Sequence, residues 1–177
     1  MALPGGVSVP ALVAVCTIGV GVLLHLIGLA SPEWSALHVN GQSVSYGLWK
    51  ACLSGIEICG DYPFDTLPDE WKSSLRACEA FAILGMLASF LGLAMAAISV
   101  LFPMMGKPKN AMFPVISLAG CMAAFICILI AIIVWGAKVH ADYLSKLDIG
   151  YSFILSIIGG IMIVVGGLLG LIGNERV

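Results

Sequence analysis

Four long apolar runs, at about residues 8–30, 77–102, 112–137 and 151–173, leave this chain few folds to adopt. Each reaches the ~20 residues that a helix needs to cross ~30 Å of hydrocarbon. Lys, Arg, Asp and Glu are absent from the first, third and fourth, and the second contains only Glu79. Backbone N–H and C=O groups in lipid must be satisfied within the segment itself, so each run is expected to be helical. A β-barrel is excluded because the runs are continuous rather than alternating. The first run is too long for the apolar part of a signal peptide and no basic stretch precedes it, so it is expected to be a retained span. Composition points the same way: 60% hydrophobic residues, 10% charged and a mean hydropathy of +1.08 describe a chain whose solvent is a bilayer. With a net charge of −2 and no Lys/Arg cluster, neither a nucleic-acid partner nor a polybasic lipid patch is expected.

Four spans put both termini on one side of the membrane, and the connections at about 31–76 and 138–150 on the other. Counting positive charges does not orient the chain: Lys107, Lys109 and Arg176 lie on one side, but Lys50, Lys72, Arg76, Lys138 and Lys146 on the other. Cysteines orient it better. Cys52 and Cys59 alone fall outside the apolar runs, both in the first loop, and a bridge between them needs an oxidising compartment. The loop is therefore expected to face outside, with both termini cytosolic and the protein multi-pass in the plasma membrane.

Small residues recur at four-three spacing in the later spans. Cys78, Ala82, Gly85, Ser89, Gly92, Ala96 and Ser99 follow it in the second, and Ser117, Gly120, Ala124, Cys127 and Ala131 in the third. Ser152, Ser156, Gly159, Gly166, Gly170 and Gly173 follow it in the fourth, with Ile163 the one large residue in register. A period of about 3.5 puts each set on one stripe, where small side chains let helix backbones approach in a left-handed bundle.

Within the first loop, 33–39 and 42–52 are short mixed runs flanking Asn40-Gly41, a pair suited to a tight hairpin turn. After Ser54-Gly55, the run Ile56-Glu57-Ile58-Cys59 would add a third strand and set Cys59 across from Cys52. Closing so short a loop is expected to stabilise it by roughly 2.5 kcal/mol in the chain-entropy view. A sheet this small has little core of its own, and Trp34, Leu48 and Trp49 are the apolar residues available to it. Trp34 and Trp71 lie where interfacial aromatics are expected, whereas Trp49, near Cys52, is assigned to packing.

Trp34, then Gly47-Leu48-Trp49, then Cys52 and Cys59, resembles the W…G-L-W-x-x-C…C signature in the first extracellular loop of claudins, peripheral myelin proteins and epithelial membrane proteins. Arg76 at the start of the second span and Gly150-Tyr151-Ser152-Phe153 entering the last are similar to features of the same superfamily. The resemblance implies one claudin-like tetraspan domain over 1–177: a membrane all-α four-helix bundle carrying a small extracellular antiparallel β-sheet, four strands from the first loop and one from the second. It further implies a protein that acts by contact, self-associating in cis or in trans at cell junctions as an adhesion or barrier protein. The alternative within the superfamily is an auxiliary, gamma-type subunit of a channel or receptor. Several features depart from vertebrate claudins: the first loop is shorter, Cys52 and Cys59 are closer together, and no Tyr-Val ends the chain. Asn40, Asn110 and Asn174 all fail the Asn-x-Ser/Thr rule, so no N-linked glycan is expected.

His25 shares a register with Ala11, Ala14, Gly21 and Gly28, and Glu79 is about one turn into the second span. Ionisable groups in a membrane are costly unless paired, so either a His25–Glu79 hydrogen bond is expected, or each reaches the interface separately or bonds backbone. The first loop carries Glu33, Glu57, Asp61, Asp65, Asp69 and Glu70 against Lys50, Lys72 and Arg76. If it lined a paracellular pore, carboxylates such as Glu57, Asp61 and Asp65 would favour cations. No Cys-x-x-Cys pair occurs, Cys16, Cys121 and Cys127 are isolated within spans, and His25, His38 and His140 are far apart. Neither an enzyme nor a metal or cofactor site is therefore expected.

Overall fold

A computed structural model describes residues 2–3, 7–39, 42–53, 58–62 and 67–175. Among them are four helices long and apolar enough to cross a membrane: α1 (Val9–Ala30), α2 (Asp69–Met104), α3 (Met112–Val134, continued to Tyr143) and α5 (Tyr151–Glu175). The continuation of α3 is a π-helical turn, Trp135–His140, followed by the short α4 (Ala141–Tyr143). A two-residue pairing of β1 (Ala2–Leu3) with β2 (Val7–Ser8) precedes α1. Helix α2 begins eight residues before the apolar run and α3 outlasts its run. Apolar length locates the hydrocarbon, but helix ends are set by local chemistry: Asp69 and Glu70 in the first turn of α2 suit the positive end of its dipole.

The first loop supplies β3 (Ser35–Val39), β4 (Gln42–Tyr46), β5 (Lys50–Leu53) and β6 (Ile58–Asp61); the second supplies β7 (Asp148–Ile149). They form one antiparallel sheet in the order β6-β5-β4-β3-β7. The run 42–52, expected to be one strand, is two. Gly47 donates its N–H to the Lys50 carbonyl (2.9 Å), making a turn of Gly47-Leu48-Trp49 that drives Leu48 fully into the interior. Asn40-Gly41 and Ser54-Gly55, expected turns, lie outside the described residues.

The chain divides into two compact units, 1–23, 84–126 and 159–177 in the first, and 24–83 and 127–158 in the second. In the first, which carries both termini, helices meet at small residues. A Cβ on Gly21 would lie 2.8 Å from the Gly159 carbonyl and 3.0 Å from the Ile163 amide, and one on Gly92 would lie 2.8 Å from Cys121 Sγ. Such spacing leaves no room for a side chain, so α1 touches α5 and α2 touches α3 backbone against backbone. Serines tie the same pairs: Ser117 Oγ donates to the Gly92 carbonyl and Ser8 Oγ to the Gly173 carbonyl, each at 2.8 Å. At the turn after α2, Gly106 adopts φ +73°, a conformation that glycine takes without strain, and ends the helix. Asn110 Oδ1 then caps α3 by accepting from the Met112 N–H (2.9 Å).

Gly85, Ser89, Gly92, Gly159 and Gly166 are buried, as their register requires, and a Cβ on Gly170 would make ordinary contact with Ala14 at 3.5 Å. The third stripe differs from expectation. Ser117, Gly120, Ala124 and Ala131 are buried, but Cys127 is only half-buried, and Cys121, Ile128, Trp135 and Val139 are buried beside them. The heptad continues past the small residues into a tryptophan, and that carries it into the second unit's core.

Candidate functional site

The second unit holds the sheet and the residues that fix it to the helices. Its core comprises Trp34, Leu48, Tyr62, Leu75, Cys78, Ala82, Ala131, Trp135, Val139, Leu144 and Phe153. Trp34 is completely buried, which fits the packing role expected of it with Leu48 and not the interfacial alternative. It stands just before β3, lies 5.2 Å from Trp135 and meets Phe153 edge-on at 5.8 Å. Its Nε1–H donates to the Gly28 carbonyl at the end of α1 (2.8 Å), so the ring's one polar atom is satisfied in a dry setting. Trp135 Nε1 donates to Ser35 Oγ (3.1 Å), which is also hydrogen-bonded to His140 Nδ1 (2.9 Å). The π-helical turn starts at Trp135 and ends at His140, and both ends thereby grip the first residue of β3.

The entry to α5 clasps the same place. Gly150 sits against the Glu33 carbonyl so closely that any Cβ would collide with it, and its N–H reaches the Trp34 carbonyl (3.0 Å). Ser152 donates its N–H to the Glu33 carbonyl (3.1 Å), and β7 pairs with β3 through Ser35–Ile149 and Ala36–Asp148. Two motifs more than a hundred residues apart, Trp34 and Gly150-Tyr151-Ser152-Phe153, are therefore one joint. Gly47 serves the other side of the sheet in like manner, with no space for a Cβ beside Pro32.

At the far end, Cys52 and Cys59 are disulfide-bonded, with Cα atoms 4.1 Å apart, directly opposite in the β5–β6 pairing. Trp49, assigned to packing, is 36% exposed; its Nε1–H donates to the Leu29 carbonyl (2.8 Å). The start of α2 closes the unit through a ring series in which Tyr62 meets Trp71 edge-on at 6.2 Å and Trp71 stacks on Tyr143 at 5.0 Å. Tyr62 donates its hydroxyl to the Gly47 carbonyl (2.7 Å). Burial pushes the Tyr62 phenol well above its ordinary range, with Tyr46 and Glu79 adding to the rise.

Of the two expectations for His25, pairing with Glu79 is not met and bonding to backbone is. His25 is fully buried and donates Nε2–H to the Ala82 carbonyl (3.3 Å), while Nδ1 has no hydrogen-bond partner among the described residues. Helix geometry explains this: Cys78 and Ala82 occupy the packed stripe of α2, and Glu79 is rotated ~100° from Cys78 toward a half-exposed position. Arg76 and Asp61 are exposed, whereas Glu57 and Asp65 lie outside the described residues. Sequence reasoning missed Trp135, Ser35, His140 and Tyr62. The heptad of α3, extended by one step beyond Ala131, contains the signal for Trp135.

No curated protein matches the chain. Residues 8–170 match the PMP-22/EMP/MP20/Claudin family, and with four apolar helices and a disulfide-closed five-stranded sheet, the chain belongs to that family of structural, non-enzymatic membrane proteins.

Proposed function

We propose that the protein sits in the plasma membrane with its sheet outside and both termini cytosolic, as a single tetraspan domain, and that the sheet is a contact face organising cell–cell junctions. The observation that carries this reading is a rigidly held sheet whose outermost strands expose apolar residues. Ile58 on β6 is 60% exposed and Ile149 on β7 is 51% exposed. Side chains of that kind on anchored strands suit association with another protein surface, whether a second copy in cis or one in trans. The Cys52–Cys59 bond supports the orientation, since such bonds persist in oxidising compartments. Acidic residues of the loop, Asp61 among them, would give a paracellular path between copies a preference for cations.

Expression in non-adherent cells tests the reading. An adhesion protein concentrates where two expressing cells touch and increases their aggregation, and Ile58→Asp with Ile149→Asp lowers both. Uniform distribution with unchanged aggregation would overturn it and favour an auxiliary subunit, which reaches the surface only when its channel or receptor is supplied.

A further inference from the structure

A groove of about 520 Å³ opens between the last turn of α1 and the disulfide hairpin, lined by Leu29, Ala30, Pro32, Trp49, Lys50 and Cys52 among others. Its volume lies in the roughly 300–1,000 Å³ range of sites that enclose a small molecule. Three features indicate the occupant. The groove is continuous with α1, whose Leu26 and Ile27, 40% and 48% exposed, face outward from a membrane-spanning helix. Its wall carries Trp49, an amphipathic ring with its N–H already bonded to the Leu29 carbonyl, leaving an apolar face for a chain to lie on. Lys50 lines the groove on the same face of β5 as Cys52, and the opposite charge next to it is Asp61, the direct cross-strand neighbour of Lys50 on β6 and two residues beyond the lining Cys59.

We propose that this groove holds one zwitterionic phospholipid from the adjoining leaflet, with an acyl chain against Trp49 and Ala30, its phosphate at the Lys50 ammonium and its cationic headgroup nitrogen toward Asp61. Apolar wall, interfacial depth and paired rim charges match the three parts of such a lipid in order, which neither a soluble ligand nor a flat protein face would require. The proposal goes beyond the contact role and does not depend on it.

Native mass spectrometry of the full chain, purified in mild detergent and supplied with phosphatidylcholine, tests it. The wild type retains one lipid per chain. Ala30→Trp, which fills the groove, abolishes retention, and Lys50→Glu, a change on the exposed rim, lowers it roughly fivefold or more. Brominated phosphatidylcholine quenches a fluorescence component that Trp49→Phe removes. Equal retention by wild type and Ala30→Trp would overturn the proposal. So would a stronger preference for phosphatidylglycerol that Asp61→Asn leaves unchanged, or a second copy of the chain in place of lipid.

Discussion

The two units solve one problem, holding α1, α2, α3 and α5 together, by opposite means. In the unit with the termini, side chains are removed until backbones touch, as at Gly21 against Gly159 and Gly92 against Cys121. In the unit with the sheet, large rings fill the interior, and the two fully buried tryptophans donate their N–H groups to neighbouring segments, Trp34 to the Gly28 carbonyl and Trp135 to Ser35 Oγ. Hydrocarbon surroundings offer no hydrophobic drive for helices to associate, so close approach and dispersion contacts must supply it. Where the chain leaves the spans and becomes a sheet, a core of the kind found in soluble proteins becomes possible, and tryptophan provides it. At Gly21 and Gly92 the first unit has no room for an added carbon, whereas the second, besides its own tight glycines Gly47 and Gly150, depends on the volume of its rings.

That contrast can be broken from either side. Trp34→Ala is expected to have the largest effect, a loss of about 3–5 kcal/mol, because it empties the centre of the ring cluster and orphans the Gly28 carbonyl. Thermal unfolding in detergent would show it, with the Cys52–Cys59 bond becoming reducible at lower temperature. Cys52→Ser with Cys59→Ser is expected to cost about 2.5 kcal/mol, confined to the sheet unit, and a limited-proteolysis map would show new cleavage in 42–61 with the helices intact. Gly21→Val acts on the other unit, costing about 1–3 kcal/mol through overpacking against the Gly159 carbonyl; equal destabilisation by Trp34→Phe and Gly21→Val would dissolve the distinction between the two modes.

The smallest effect is a pH dependence. Because burial raises the folded-state pKa of Tyr62, its neutral form favours the fold; the contribution is complete below the ordinary phenol pKa of about 10 and is lost as pH rises through the higher folded value. Alkaline titration should therefore loosen the sheet, and Tyr62→Phe should remove that sensitivity while costing about 1 kcal/mol at neutral pH through the lost bond to Gly47.

Spans were legible because crossing hydrocarbon is a one-dimensional demand on length and polarity, and the disulfide because Cys52 and Cys59 alone stood outside them. The joint was not. Leu48 and Trp49 have the composition of strand residues, so nothing local announced that Gly47 would turn the chain against Pro32. Trp34 could be assigned to packing, but not its partners, because Trp135 and Phe153 lie more than a hundred residues away. His25 was correctly placed facing inward, yet pairing it with Glu79 required the rotation of α2, which its packed stripe of Cys78 and Ala82 decides. Sequence spacing reports which residues share a stripe; it does not report which backbone carbonyl will face them.

The pairing of β3 with β7 has a consequence for biosynthesis. Four strands of the sheet leave the ribosome early, but the last partner of Ser35 and Ala36 is Ile149 and Asp148, made only after two further helices. Until then β3 presents an open edge, and Trp34 has at most Trp135 beside it and lacks Phe153. Completion of the sheet thus waits on the segment that follows α3, and a chain stalled before β7 displays an open strand edge of the kind that makes partly folded proteins prone to aggregate.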